Sequence, residues 1–192
     1  MITAIILAAG ESKRMGEPKM LMPWGKSTVL QTVISTFQVS GINDILVITG
    51  GARQQVEALV GKTVQTIFNE NYDIGGMLSS IQAGLSAKIH EASAALICLG
   101  DQPQVNERNV RSICEAFTKI KSPIVVPSYQ MQRGHPWLVA RPLWDEILQM
   151  KSPRTPRDFI RKHSRHIHYI NVETSSVIED LDTQEDYIKY KS

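Results

Sequence analysis

The sequence has little of several features that would by themselves define a class of protein. Its 192 residues include 2 cysteines, Cys98 and Cys114, and neither belongs to a CxxC or zinc-ligand pattern. We therefore expect buried thiols rather than a disulfide or a structural metal. Charge of one sign is not in excess either, because 21 Lys and Arg stand against 19 Asp and Glu. A net charge of +2 does not predict binding to nucleic acid or to an anionic membrane.

Long hydrophobic runs are also missing. The longest early apolar run, residues 4–9, is far shorter than the ~20 residues that cross a bilayer. A secretory signal needs basic residues before its apolar run, whereas Lys13 and Arg14 come after this one. We therefore expect a cytoplasmic protein without membrane attachment. A content of 42% hydrophobic and 21% charged residues is typical of globular chains.

Apolar runs of strand length alternate with segments of helical period along the chain. Strands are predicted at 2–7, 44–49, 63–68, 94–99, 123–127 and 137–140. Helical stripes lie between them, and capping-box spacings that begin at Thr155 and Thr183 predict two further helices. This order predicts an α/β fold in which residues 1–192 form a single three-layer, Rossmann-like domain with a mostly parallel sheet. Ligands of such sheets bind beyond the carboxyl ends of the strands.

A loop of small residues followed by basic ones comes directly after the first predicted strand. Small residues allow backbone N–H groups to approach an anion closely, and Arg14 and Lys19 add positive charge suited to phosphate oxygens. The spacing matches neither GxGxxG nor GxxxxGK[ST], which argues against a dehydrogenase or a P-loop ATPase. A flexible basic turn is the alternative that composition alone leaves open. The residues that open this loop are Leu7, Ala8, Ala9 and Gly10.

Carboxylates follow two extended segments of the chain. Asp101 comes directly after the most apolar strand, where a carboxylate can hold a hard cation such as Mg²⁺ or can simply cap the turn before Pro103. Asp180 and Asp182 are two residues apart in an extended segment, so they point to the same side. Two ordinary surface carboxylates are the alternative for this pair.

Two further stretches carry polar groups that could meet a ligand. Gly76, Ser79 and Ser80 lie where a helix is predicted to begin, a position that receives anions and polar ligand edges well, although a plain N-terminal cap explains the serines equally. Arg133 and His135 precede a short strand and could bind a phosphate or act as turn residues. The basic segment around His163, His166 and His168 has an irregular spacing that favours a solvated face over a metal site.

These stretches together resemble the nucleotidyltransferases with a pyrophosphorylase-type fold, also described as the nucleotide-diphospho-sugar transferase type. Within that superfamily the chain is similar to the molybdenum cofactor cytidylyltransferases and their relatives. One departure is Leu78, where relatives often carry Ser. The stretches that carry the resemblance are 7–19, 69–81 (NENYDIGGMLSSI), 100–103 (GDQP), 133–136 (RGHP) and 180–187 (DLDTQEDY).

The resemblance implies a role for each candidate residue. It implies that Arg14, Lys19 and Asp101 are catalytic and that Asp101 and Asp182 hold Mg²⁺. It places the nucleotide against the loop of residues 7–10, Arg14 and Lys19, and against the helix start at Gly76, Ser79 and Ser80. It places the acceptor against Arg133 and His135.

The implied reaction is the transfer of a cytidylyl group from CTP to the terminal phosphate of a molybdopterin-type acceptor, with release of pyrophosphate. The resemblance also implies a transient contact with a molybdenum hydroxylase that receives the product. Alternatives are a guanylyltransferase on the same acceptor, a cytidylyl- or uridylyltransferase acting on a sugar or polyol phosphate, and a non-catalytic protein that delivers the finished cofactor. Retention of Lys19, Asp101 and Asp182 together favours catalysis.

Overall fold

The computed structural model describes residues 1–12 and 15–191. Its strands are β1 (Ile2–Ala8), β2 (Pro23–Trp24), β3 (Ser27–Thr28), β4 (Ile45–Thr49), β5 (Gln65–Phe68), β6 (Ala94–Leu99), β7 (Ile124–Tyr129), β8 (Gln132–Arg133), β9 (Trp137–Ala140) and β10 (Ile167–Asn171). Its α-helices are α1 (Val29–Val39), α2 (Arg53–Val60), α3 (Gly76–Ala87), α4 (Glu107–Ile120), α5 (Trp144–Gln149), α6 (Pro156–Lys162) and α7 (Gln184–Lys191).

One central sheet organises the molecule, in the order β10-β7-β9-β6-β1-β4-β5 with β8 paired to β7. β1 runs parallel to both β4 and β6, β4 parallel to β5, and β10 parallel to β7. β9 is antiparallel to its two neighbours β6 and β7. The sheet is therefore mostly parallel, and the predicted α/β fold class is confirmed.

The sheet is buried on both faces, and its central strands β1, β4 and β6 are apolar at every position except Thr3 and Thr49. Along β1, Ala4 and Ile6 pack into a cluster on one face that includes residues of α1, α2 and α4. Ile5 and Leu7 pack into a cluster on the other face with residues of α3, α5 and α6. Parallel strands covered by helices on both sides have this continuous apolar pattern, which produces the three layers.

Several helices begin or end at the capping residues that the sequence predicts. Asn106 caps α4 by accepting a hydrogen bond from the backbone N–H of Asn109 (3.0 Å), and Gly61 follows the last residue of α2 with a φ of 58°. The capping boxes predicted at Thr155 and Thr183 both form, each with the carboxylate three residues later. These caps satisfy backbone donors that the first helical turn leaves without partners.

Besides the two-residue strands β2, β3 and β8, the sequence reasoning missed two longer elements. β10 falls in the basic segment that was predicted to be a solvated face, yet it forms the edge of the sheet beside β7. His163 is also not simply solvated, because its ring packs on Phe159 and its Nε2 lies 2.9 Å from a carboxylate oxygen of Glu146. The second missed element, α5, has only 6 residues, too few to display a helical period.

The cysteines differ in their environments. Cys98 lies in β6 and is buried, which raises the pKa of its thiol. Cys114 is only partly buried on α4, and burial raises the pKa of its thiol to about 11. Neither thiol is therefore a ready nucleophile at neutral pH. Among the described residues, no helix is long and apolar enough to cross a membrane.

Candidate active site

A cavity of about 320 Å³ opens where β1 and β6 end, at the carboxyl edge of the parallel strands. The cavity forms there because the residues that follow two neighbouring parallel strands emerge side by side at the same edge of the sheet. Loops that follow these strands and the segment before α7 supply most of the wall. We call it the first cavity, and its lining residues are Leu7, Ala9, Gly10, Lys19, Met20, Tyr72, Gly76, Met77, Ser80, Leu99, Asp101, Asp180 and Asp182.

The loop after β1 is held close to the sheet by its neighbours. The carbonyl of Ala9 accepts a hydrogen bond from the backbone N–H of Gly51 (3.2 Å). A Cβ at Gly50 would collide with that same carbonyl and with the side chain of Tyr72, so only glycine permits this approach. Farther on, the Ser12 hydroxyl accepts a hydrogen bond from the backbone N–H of Lys19 (3.1 Å). This bond sets the direction in which Lys19 enters the cavity.

Lys19 joins two carboxylates that are far apart in sequence. Its ammonium makes a close ion pair with Asp101, and it lies 3.5 Å from Oδ1 of Asp182. The side chains of Lys19 and Asp101 are only 12% and 13% exposed, so this pair is far less screened than a surface salt bridge. The backbone N–H of Leu181 donates to the carbonyl of Asp101 (3.2 Å), which fixes the later segment against the end of β6.

Asp180 is a third carboxylate on this wall, to which the sequence reasoning gave no separate role. Its Oδ1 accepts a hydrogen bond from the Gln102 side chain (2.5 Å). Burial, and after it the negative charge of Asp101, raises the pKa of Asp180 to about 6. The sequence placed Asp180 and Asp182 on one side of an extended segment, and both do line the first cavity.

The carboxylates fit a divalent cation that shares its coordination with a phosphate ligand. Among the described residues, no group of three or more His, Cys, Asp or Glu could hold a metal ion alone. Asp101 and Asp182 nevertheless converge on one positive group, the ammonium of Lys19. Mg²⁺ is commonly bound through one or two carboxylates plus phosphate oxygens, without a cage built wholly by protein. The donor set present here is of that kind.

The start of α3 forms the opposite wall of the first cavity. Gly76 has a φ of +56°, a left-handed conformation that glycine adopts without strain. Asn69 donates from its side chain to the hydroxyls of both Ser79 (2.8 Å) and Ser80 (3.0 Å). Ser80 lines the cavity, whereas the Ser79 hydroxyl also bonds the carbonyls of Asn71 and Gly76 and is absent from the lining.

Most of the sequence-predicted residues therefore converge, with identifiable exceptions. Leu7, Ala9 and Gly10 line the first cavity, but Ala8 points its side chain into the core on the other face of the sheet. Arg14 lies outside the described residues. Asn69, which orients the two serines, was missed as an individual residue although it opens the quoted 69–81 stretch.

A second cavity of about 310 Å³ adjoins the first, and the two share Met77, Leu99 and Asp180 as lining residues. Arg133 and His135, predicted to face the acceptor, both line it. The other lining residues are Val126, Gly134, Trp137, Pro156, Arg157, Ile160 and Arg161. We call it the second cavity.

His135 in the second cavity is held in its neutral form. Burial, reinforced by the positive charge of Arg157, lowers the pKa of His135 to about 4. A neutral imidazole offers one donor and one acceptor nitrogen. Arg133 is positioned differently, since its Nε donates to the Tyr169 hydroxyl (2.9 Å).

The second cavity also contains residues that sequence reasoning missed. Arg157 and Arg161 come from α6, whose start was predicted from the capping box but whose side chains were not connected to any site. The only signal was their separation of four residues, which places them on one face of the predicted helix. Nothing in the sequence indicated that this face would lie beside His135.

The chain has a mostly parallel α/β sheet with two adjoining cavities at its strand ends, and the first cavity contains a lysine between carboxylates. This is the arrangement of a nucleotidyltransferase. Comparison with known proteins confirms this class. The MobA-like NTP transferase domain matches residues 4–167, and the chain belongs to that family. The resemblance inferred from the sequence motifs is therefore confirmed.

Individual relatives extend the match to nearly the full chain. The molybdenum cofactor cytidylyltransferase of Escherichia coli K12 is 28% identical over 99% of this chain and 95% of its own length. The nicotine blue oxidoreductase of Paenarthrobacter nicotinovorans is 29% identical over 96% of this chain and 93% of its own. Among solved structures, Rv0371c of Mycobacterium tuberculosis H37Rv superposes with a TM-score of 0.86 at 27% identity, covering 98% of this chain and 96% of that one. A second structure of Rv0371c is a complex with manganese (TM-score 0.82).

Proposed function

We propose that this nucleotidyltransferase is a Mg²⁺-dependent CTP:molybdopterin cytidylyltransferase. The observation that carries the proposal is the pair of adjoining cavities, because a transferase that joins two substrates needs two binding regions that meet at the reacting atoms. Their shared residues Met77, Leu99 and Asp180 mark that meeting region, next to Lys19 and Asp101. The cytidylyltransferase relative from Escherichia coli supports the choice of substrates.

The first cavity would hold the nucleotide. The loop of residues 7–10 and Lys19, with Arg14, would bind the triphosphate, and the start of α3 at Gly76 and Ser80 would meet the nucleoside. In this assignment Ala8 and Ser79 act indirectly: Ala8 anchors the loop in the core, and Ser79 helps to hold the helix start. Asp101 and Asp182 would hold Mg²⁺, which would supply charge neutralisation to the phosphates when bound.

The acceptor would occupy the second cavity, with Arg133 and His135 among its contacts. Its phosphate oxygen attacks the α-phosphorus of CTP, the new P–O bond forms, and the bond to the β-phosphate oxygen breaks so that pyrophosphate leaves with its electron pair. A phosphate monoester is already anionic at neutral pH, so no side chain must act as the nucleophile. The ammonium of Lys19 neutralises charge that develops on the phosphate oxygens, and positioning supplies much of the remaining catalysis.

Alternative functions within the family differ from the proposed one in their substrates. A guanylyltransferase would prefer GTP, and a sugar- or polyol-phosphate transferase would use another acceptor. A cofactor-delivery protein would need neither the lysine nor its carboxylates, and their close packing favours catalysis over that reading. A cytoplasmic location, and passage of the product to a molybdenum hydroxylase, belong to the same proposal.

The test is a screen of four nucleoside triphosphates with the purified chain. CTP, GTP, ATP and UTP are each incubated with molybdenum-loaded molybdopterin and either Mg²⁺ or Mn²⁺, and pyrophosphate release and the mass of the product are measured. We expect molybdopterin cytosine dinucleotide from CTP and no release without the acceptor. A preference for GTP, turnover only with a sugar or polyol phosphate, or no transfer with any triphosphate would contradict the proposal. A parallel assay of nicotine blue reduction tests the activity that the second relative's name states.

A further inference from the structure

The second cavity carries a pair of arginines that no step of the proposed reaction has used. Arg157 and Arg161 both line it and lie four residues apart on α6. Residues at this spacing are neighbours on one helix face, so their guanidinium groups approach the cavity from the same side. Among the described residues that line this cavity, Asp180 is the only carboxylate.

These two guanidinium groups are largely uncommitted within the protein. Within residues 1–12 and 15–191, Arg157 makes no ion pair or side-chain hydrogen bond. Arg161 makes one ion pair, with Asp158 at 3.5 Å, and its side chain is 77% exposed. Exposed ion pairs of this kind contribute little to stability, so a ligand can replace Asp158 as the partner of Arg161. Arg133 differs, since Tyr169 accepts from its Nε. The α6 arginines are therefore available to a ligand.

Besides the charged residues Arg133 and Asp180, the second cavity has a wall that is apolar and partly aromatic. Val126, Trp137 and Ile160 are buried residues whose side chains belong to the core cluster on that face of the sheet. His135, neutral at physiological pH because burial lowers its pKa to about 4, adds a flat ring without charge. An apolar wall beside two guanidinium groups matches a ligand with a flat ring system at one end and an anion at the other.

We propose that Arg157 and Arg161 form an anion subsite that binds the phosphate monoester of the acceptor, while the apolar wall of the second cavity binds the acceptor's ring system. The inference rests on the proposed function and assigns to that site the two residues that bind the acceptor's phosphate, Arg157 and Arg161. Guanidinium groups bind phosphate oxygens in a forked, two-bond geometry. They also offset the repulsion that an incoming dianion meets from Asp101, Asp180 and Asp182 on the adjoining wall.

The first experiment measures binding without turnover. Phenyl phosphate, a flat ring bearing a phosphate monoester, is titrated into the wild type, Arg157→Gln, Arg161→Gln and the double variant by calorimetry. We expect Kd to rise roughly tenfold for each single variant, the loss expected when a charge-assisted pair is removed. Arg165→Gln is the matched control, because Arg165 is exposed and lines neither cavity. Both α6 arginines are exposed, so their variants should fold, and thermal melting checks this.

Lys19→Ala separates this subsite from the first cavity. Phenyl phosphate binding should persist in Lys19→Ala if the arginines hold the anion. The inference is overturned if Lys19→Ala alone abolishes binding, if the α6 variants bind as wild type does, if Arg165→Gln loses as much as they do, or if the wild type does not bind phenyl phosphate at all. Each of these results is independent of whether CTP and molybdopterin are the substrates.

The second experiment uses the complete reaction. With CTP and molybdenum-loaded molybdopterin, Arg157→Gln and Arg161→Gln should raise KM for the acceptor roughly tenfold while KM for CTP stays unchanged. An unchanged acceptor KM would overturn the inference. Absence of turnover in the wild type would instead contradict the proposed function, and the calorimetric result would still decide whether the anion subsite exists.

Discussion

The two cavities are neighbours with opposite chemical character. The first is lined by Asp101, Asp180 and Asp182 with Lys19 among them, whereas the second is lined by three arginines and a neutral histidine, with the shared Asp180 at the boundary. Carboxylates suit a divalent cation that is bound together with a triphosphate, whereas guanidinium groups suit an anion that binds without a metal ion. Under the proposed function, this difference means that one strand edge receives two anionic substrates and neutralises the charge of each in a different way.

The largest effect is expected when a carboxylate is removed from the first cavity. Asp101→Asn should nearly abolish turnover, by about 10³-fold or more, because the amide loses the charge that would hold the divalent cation against the phosphates. The fold should remain, since the substitution keeps the shape of a side chain that is 13% exposed. The measurement is kcat at saturating Mg²⁺, with circular dichroism to confirm the fold.

Asp145→Asn supplies the matched control, because Asp145 is exposed on α5 and lines neither cavity. It should behave as wild type. Near-normal activity of a folded Asp101→Asn protein would remove Asp101 from the proposed metal site and leave Asp182 to be tested alone.

The second substitution tests the cation of the first cavity. Lys19→Ala should lower the rate on the order of 10²–10³-fold, by analogy with the loss of one oxyanion-hole donor. Binding of an acceptor mimic in the second cavity should change little, which is the contrast with the α6 arginines. Steady-state kinetics in CTP measure the effect, and Arg14→Ala should act in the same direction. Wild-type kcat and KM for CTP in both variants would show that the loop is not the phosphate site.

The two cavities also differ in how far the sequence predicted them. Residues of the first lie directly after apolar strands or inside short motifs, so local pattern singled out Ala9, Lys19, Asp101 and Asp182, and the family resemblance implied their roles. The α6 arginines could not, because only the folded chain brings Arg157 beside His135. A separation of more than 20 residues with no shared motif leaves no periodic signal.

The elements show the same division between local and long-range information. Strands β1 and β6 were predicted from continuous apolar runs of strand length, and helix α4 from its Asn106 cap and the helical period of its apolar residues. β10 was missed because it is a half-exposed edge strand, and edge strands can contain basic residues such as His168. Pairing with β7 determines that strand, and pairing is not visible in the sequence of either partner.

The nucleotide preference tests how tightly the first cavity fits. We predict that CTP is preferred over GTP, because Ala9 lines this cavity and is 6% exposed, so its methyl group takes space that a purine needs. One methyl group is worth about 1–3 kcal/mol of discrimination, which gives a clear preference but not exclusion. The measurement is kcat/KM for both triphosphates with the same acceptor. Ala9→Gly should narrow the ratio, whereas equal values in the wild type would overturn the cytidylyl assignment.

The smallest effect concerns the pH dependence of stability through His135 in the second cavity. Its pKa is lowered to about 4 in the folded chain by burial and by Arg157, against ~6.5 for an unperturbed histidine. Between these values the unfolded chain binds a proton that the folded chain does not, so stability falls as pH drops from 6.5 toward 4 and is unaffected above that window. Charged groups that share this cavity are Arg133, Arg157, Arg161 and Asp180.

His135→Gln removes this contribution while leaving those charges in place. Free energies of unfolding from urea titrations at about pH 7 and pH 5, which bracket most of the window, should therefore show a smaller loss in the variant than in the wild type. His90→Gln, at an exposed position, is the control and should follow the wild type. Because the other titrating groups are common to both proteins, the difference between the two losses reports His135. Equal losses in His135→Gln and wild type would mean that the imidazole is not held neutral by its cavity.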